Sequence, residues 1–488
     1  MGIGENTVND RVRLLALWWS VALAGSAGAI PPGKVALRGG RIIPVVGEPV
    51  ENGTLLIDNG SIAAIGAAVD VPYDAMVVDV SGKVLFPGLV DAHSMRGLDV
   101  PNENAPVTPF LDVYDAIDPS KLYFEDALRD GVTSIHVIAG NNCVIGGLSR
   151  VVHPIGLTPD EMTLRGPVAL KISVAPKRGS DRMVQLATLR QTFLELDDYL
   201  GDLAEKKYEE SLEKKKEEIE VGPDEARKRG RALIRTDDYD DAHRNLVKLT
   251  RGELDAVVYC DRAGDVARAV EVAKDNGFHD RMTLVLGSDC FKAVDVVKQS
   301  GRPVVLGPEL LHRERDPVTG DLRETFTPKV FADHGVAFAL LPDADGSLAE
   351  RYLNYQAARC VRNGVSRGAA LEAITLNPAR ASGVGDLVGS LEVGKVANVL
   401  VLSGDPLDFS TWVDASYIHG VRAYDRSKDV RLKQLLGDEP SETQEPDDAP
   451  SSEAPTNEGA SAISTAPDES SDEAAPDKSD EQPDRDER

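Results

Sequence analysis

Basic residues are scarce: 54 Lys and Arg stand against 81 Asp and Glu, for a formal net charge of −27 and a pI near 4.7. A chain so short of positive charge has no basic face to neutralise phosphates, which excludes nucleic acid as an expected partner. Cysteine is limited to Cys143, Cys260, Cys290 and Cys360, with no C-x-x-C pair, so spacing excludes a zinc ribbon. Sequence cannot choose among the disulfide pairings that four cysteines allow, and the plainer reading is four semi-buried thiols packing as small hydrophobes. There is no G-x-G-x-x-G fingerprint, no P-loop and no G-x-S-x-G elbow. A Ser–His–Asp nucleophile is not indicated, because Ser94 is the strand neighbour of His93 and points to the opposite face.

Apolar residues make up 42% of the 488, ample for a large core. Near the N-terminus Arg11 and Arg13 precede the run LLALWWSVAL, followed by small residues with an Ala-x-Ala pattern at Ala27 and Ala29. A basic flank, a short apolar stretch and a small-residue site predict a secretory signal over residues 1–29, with export to a periplasmic or extracellular space. An uncleaved anchor or a misassigned start is the alternative. The run is short for a membrane span, so none is expected once the signal is removed. At the other end, residues 437–488 hold 18 Asp and Glu against 3 Lys and Arg, with Ser, Pro and Ala between them. That composition predicts an acidic disordered tail.

Between these ends the grammar changes twice. Residues 34–88 alternate short apolar runs with turn residues, including Asn52-Gly53 and Asn59-Gly60. Asn-Gly between alternating runs signals a hairpin, because both turn residues tolerate positive φ. From residue 89 to 383, β-rich runs alternate with helical patterns. Strands are expected near 84–90, 133–138, 168–172, 255–259, 283–286, 303–306 and 336–341, with helices near 121–130, 264–276 and 290–299 between them. Such alternation over about 300 residues predicts a parallel sheet of barrel size; an open doubly wound sheet is the runner-up. Residues 194–235 form a charged helical insertion, read as a solvated helix, with pairs such as Glu210 and Lys214 at helical spacing. Residues 384–430 return to β-rich sequence.

Four passages carry a resemblance. They are VVDVSGKVLFPGLVDAHSM, DAIDPSKLYFEDALRDGVTSIHVIAGNNCVIGG, ALEAITLNPARASGV and VGSLEVGKVANVLVLSGDPLD, in that order along the chain. Together they resemble the amidohydrolase superfamily, and specifically its imidazolonepropionase-like branch. The resemblance implies an α/β protein: a (β/α)8 TIM-like barrel with a small composite β-sandwich domain built from both ends of the chain. It also implies a metal-dependent hydrolase of non-peptide C–N bonds, cyclic amides above all. Zinc, manganese or iron would activate water at the C-terminal ends of the barrel strands.

Carried over position by position, the resemblance places His93 at the first histidine of the strand-1 pair and Met95 at the second, where a thioether is a poor ligand. Lys171 falls where related enzymes use a carboxylated lysine or a glutamate. The strand-5 histidine is replaced, with Asp261 as substitute. Ser288 falls where a histidine is expected on strand 6, beside Asp289. Asp343 matches the proton-accepting aspartate after strand 8. The metal candidates are therefore His93, Lys171, Asp261 and Asp343, and Asp343 is also the catalytic candidate. An oxygen-rich site from Asp261, Asp289, Asp343 and His93 would suit a hard ion. Asn141, Asn142 and Tyr259 are candidates for contacts to a bound small molecule. His136 is read as a packed histidine, and His153, His243, His279, His312, His334 and His419 as structural or exposed.

Two functional readings follow. One is a hydrolase with an altered ligand set. The other is a non-catalytic relative that binds a ligand or pairs with an active amidohydrolase. Partners expected on either reading are a small molecule and either a second copy of the chain or a related amidohydrolase.

Overall fold

The computed structural model describes residues 33–218, 221–342 and 352–437. The segment expected to be a signal, most of the acidic tail and Asp343 lie outside the described residues. The chain divides into a unit Met1–Leu432 and a second unit Lys433–Arg488, of which only the last turn of a helix is described.

The first strands are β1 (Val35–Ile42), β2 (Val50–Asp58), β3 (Ser61–Gly66), β4 (Met76–Asp79) and β5 (Val84–Pro87). They join three strands from the far end of the unit, here numbered β18 (Val399–Leu402), β19 (Val413–Ile418) and β20 (Val421–Asp425). The eight form one sheet in the order β20-β19-β18-β5-β1-β2-β3, with β4 beside β1. Leu37, Leu55, Ile57, Leu85, Val399 and Tyr417 bury a core of its own. Asn59 (φ 48°) and Gly60 (φ 79°) make the two-residue turn joining β2 to β3. Asn52-Gly53 does not make a turn. It lies inside β2, where the register slips opposite Gly40, and Asn52 takes φ 49° there. Asn-Gly marks positive φ, which a bulge uses as readily as a hairpin.

A second array carries the site. It comprises β6 (Leu89–Ser94), β7 (Val132–Val137), β8 (Ile145–Leu148), β9 (Arg150–Val152), β10 (Thr163–Arg165), β11 (Ala169–Ser173), β12 (Asp255–Cys260), β13 (Met282–Leu286), β14 (Val304–Leu306) and β17 (Ala339–Leu340). Two sheets result, β10-β9-β7-β6 and β17-β14-β13-β12-β11-β8. Strands β6 and β7 run parallel, as do β11, β12, β13, β14 and β17. The segments β8 and β9 are consecutive and antiparallel to their neighbours, β8 on β11 and β9 on β7. One bent segment thus bridges the two parallel arcs.

The closed barrel expected from the alternation is not formed by hydrogen bonds among the described residues. β17 has two residues and, among the described residues, pairs as a strand with β14 alone. The N–H of Val90 on β6 donates to Ile374 O, and that of Leu340 on β17 to Ala373 O. One turn of chain therefore takes donors from both facing edges, in place of a ladder between them. The fold is mixed α/β, with helices such as Leu122–Arg129, Ala263–Asp275 and Leu353–Arg362 packed through Phe124, Val266 and Ala357.

The charged insertion is helical, but it starts earlier than the charge pattern suggests. One helix runs Arg182–Lys215, capped at its start by Asp181 and ended by Lys216 at φ 60°. Leu186, Leu189, Phe193 and Leu196 bury its first half in the main core. Its second half packs on a helix Pro223–Gly230, where Gly230 lets the two backbones touch at Ala204. Arg227 pairs across that contact with Asp202 and Glu205. All four cysteines are buried and unbridged. No helix among the described residues is long and apolar enough to cross a membrane. A hairpin of β15 (Leu311–Arg315) and β16 (Leu322–Phe326) follows β14 and stands outside both sheets.

Candidate functional site

Parallel strands collect their C-terminal ends on one side, and the loops that follow enclose a cavity of about 340 Å³. Its wall includes His93 from β6, Asn141 from the loop after β7, Tyr259 and Asp261 from the end of β12, Ser288 and Asp289 after β13, and Glu309 after β14. The loops come close because Gly287 has no side chain: a Cβ there would stand 2.5 Å from Asp261 O.

Beneath this wall lies Lys171, fully buried on β11. Its stem passes Gly146, where a Cβ would approach the lysine Cβ to 3.1 Å. Its ammonium donates to His93 Nε2 at 2.7 Å and to Asn141 Oδ1 at 2.6 Å, and it stands 5.6 Å from the centroid of the Tyr259 ring. Burial is what lowers the Lys171 pKa, to about 8. Burial first, and then the neighbouring Lys171 charge, hold the His93 pKa well below its usual value. His93 is therefore neutral, with Nε2 as acceptor. Its backbone N–H donates to Asp91 Oδ1, and Asp91 Oδ2 accepts from Tyr123. Desolvation raises the buried Asp91 to about 6. Ser94 points away from His93, to Tyr123 at 2.7 Å, as strand alternation requires.

Of the candidates read from sequence, His93, Lys171, Asn141 and Tyr259 come together. Asn142 does not join them. Its Oδ1 accepts the Arg178 N–H and its own N–H donates to Asn102, so it fastens loops. Asp261 lies on the wall with its side chain half exposed, accepting from Tyr259 at 3.3 Å and lying 3.7 Å from Arg262. Met95 packs against the main core. His136 is buried against Ser149 at 2.7 Å.

A second group stands at the rim of the cavity. Asp289 Oδ1 and Glu314 Oε2 each lie 3.7 Å from His312 Nε2, and the three donor atoms fall within 4.8 Å of one another. Lys292 Nζ bridges the two carboxylates, at 2.7 Å from Asp289 and 2.5 Å from Glu314. These two hydrogen bonds raise the Lys292 pKa above its ordinary value. Reading each histidine for partners along the chain missed His312. The available signal was His-Arg-Glu at 312–314, since residues two apart on a strand share a face.

Comparison with known proteins bears on this site. The family model described as the amidohydrolase family matches residues 219–424. The crystal structure of an amidohydrolase from Thermotoga maritima MSB8 aligns at a TM-score of 0.65 and 27% identity, over 80% of this chain and 100% of that one. A dihydroorotase of Syntrophus aciditrophicus (strain SB) is 46% identical over 66 residues, 12% of this chain and 15% of its own. Amidohydrolase tasK of Hapsidospora irregularis is 22% identical over 406 residues, 76% of this chain and 40% of that protein. The chain thus spans less than half the length of these curated relatives.

Proposed function

We propose, from the match to the amidohydrolase family and the likeness to a solved amidohydrolase, that this chain's strand-end cavity receives a small molecule with a carbonyl on nitrogen, such as a cyclic amide, and that metal-dependent hydrolysis at that family's usual position is lost or strongly reduced. One observation carries the second half: Lys171 Nζ lies on His93 Nε2 at 2.7 Å. An unmodified ammonium there occupies the lone pair that a metal needs. The other described positions do not compensate. Met95 is partly buried and packs against the core, Ser288 offers a hydroxyl, and Asp261 reaches neither His93 nor Lys171 by any hydrogen bond or ion pair found in the structure. The described residues at the expected metal position are a poor donor set for a divalent ion.

The wall chemistry supports the first half. Asn141 commits Oδ1 to Lys171, which leaves its Nδ2 as a donor. Desolvation keeps the Tyr259 phenol protonated, and its O–H becomes a second donor once it turns from the long 3.3 Å contact with Asp261. Asp289 and Glu309 supply acceptors on the same wall. Donors for a carbonyl and acceptors for an N–H are the two needs of a secondary amide.

A panel of lactams and cyclic imides tests the reading by calorimetry, with turnover assayed on the same samples after metal analysis. Binding is expected, weakened about tenfold in Tyr259→Phe as one hydrogen bond is lost. No binding by any cyclic amide sinks the proposal. A second reading, that hydrolysis persists, is favoured by the Asp289–His312–Glu314 group at the rim. Turnover that follows added metal would select it.

A further inference from the structure

We propose that Asp289, His312 and Glu314 bind one divalent transition-metal ion, zinc or manganese, at the cavity rim in exchange for Lys292. The proposal concerns binding alone and stands whether or not the cavity ligand is an amide.

One imidazole and two carboxylates are a donor set for a borderline ion, and three protein ligands leave a position open for water. The donors lie within 4.8 Å of one another. Around a tetrahedral ion they would stand about 3.4 Å apart. The 3.7 Å separations of His312 Nε2 from both carboxylates are already close to that value.

Two further features distinguish this group from an ordinary surface cluster of acids. The first is the imidazole's support. Ser288 Oγ lies 3.2 Å from His312 Nδ1 and 3.4 Å from Glu309 Oε2, and Phe291 packs on the ring at 5.4 Å between centroids. If Ser288 accepts the Nδ1 proton and donates to Glu309, the Nε2 lone pair is left facing Asp289 and Glu314. A carboxylate-tethered acceptor for the N–H of the far nitrogen is how proteins orient a metal-binding histidine. Asp289 is held likewise, its Oδ2 accepting the Ala263 N–H at 3.1 Å while Oδ1 faces the group. The second feature is Lys292. Its ammonium sits between the two carboxylates, so this position is already one where the protein holds a cation. The lysine side chain is 39% exposed on a flexible stem, free to swing outward. His312 itself is only 15% exposed.

The test uses the full chain, stripped with chelator, and titrates zinc chloride alone and manganese chloride alone by calorimetry, with elemental analysis after dialysis. One equivalent is expected. His312→Gln should weaken it at least tenfold, about the loss seen when a ligand's support alone is removed. Lys292→Met should tighten it and enlarge the metal-induced rise in Tm, because no internal cation has to leave. His93→Gln should leave it unchanged. Circular dichroism checks that each variant is folded, and the gain in Lys292→Met cannot arise from misfolding. Failure of both the native chain and Lys292→Met to bind either ion overturns the proposal. So does weak binding of several equivalents indifferent to His312→Gln, which would be the acidic tail. Loss of the ion in His93→Gln would place it on β6 and overturn the proposal equally.

Discussion

Two lysines in this protein stand among residues of the metal-binding type, and they are held in opposite ways. Lys171 is fully buried beneath the cavity, and its partners His93 and Asn141 are neutral. Lys292 is part-exposed at the rim, between the carboxylates of Asp289 and Glu314. Burial drives the first pKa down to about 8, while the carboxylates raise the second. The first lysine is locked in by packing and geometry; the second is held by charge and open to exchange. This difference is the ground on which we propose the rim, and not the inner position, as the place for a metal ion.

The comparison is broken most directly by Lys171→Ala. That change leaves a cavity in the array and removes the donor from His93 and Asn141, at an expected cost of about 4 kcal/mol in urea denaturation at pH 7. A loss below about 1 kcal/mol would mean that Lys171 holds nothing in place.

Burial without a carboxylate should act the same way elsewhere, and His153 is the second test. It donates from Nδ1 to Thr133 O at 2.8 Å and faces His419 Nε2 at 3.1 Å, and desolvation lowers its pKa from 6.5 to about 4. The unfolded chain therefore takes up the proton first as pH falls. The stability is fully present above pH 6.5 and is lost as pH drops toward 4, by about 3 kcal/mol in all. His153→Gln should remove that part of the acid sensitivity. Parallel stability curves for the two proteins between pH 7.5 and 4.5 would refute the assignment.

At the rim the effects are smaller. Lys292→Met leaves two carboxylates facing each other and should cost about 1 kcal/mol at low salt, fading in 1 M sodium chloride. A salt-independent loss would mean that the lysine stem, rather than its charge, matters. The smallest effect belongs to Asp261→Asn, whose half-exposed side chain should change stability by less than about 0.5 kcal/mol. A large loss would restore Asp261 as a structural member of the inner site.

The strand–helix alternation was legible from residue patterns, because short β-rich runs and helical spacing are local properties. Strands β7, β11, β12, β13 and β14 lie within a residue or two of their expected places. The bent β8–β9 segment was not legible, since it crowds glycines and short apolar runs that carry no clear period. The placement of the helix Arg182–Lys215 was blurred in the same way: its charged second half is conspicuous, while the buried first half reads as ordinary amphipathic chain. The Asn52-Gly53 bulge shows a limit of motif reading, for the motif reports a backbone angle and not what the chain does on either side.

The sequence by itself determined the family resemblance and the place of His93 on a strand end, because these are properties of residue identity and order. Only the tertiary structure decided that Lys171, 78 positions away, would sit on His93, and that His312 would turn toward Asp289. Those contacts join separate strands and loops. Their formation depends on how the array packs, and packing is set by every neighbour at once, while propensity and spacing act only along a few residues of chain.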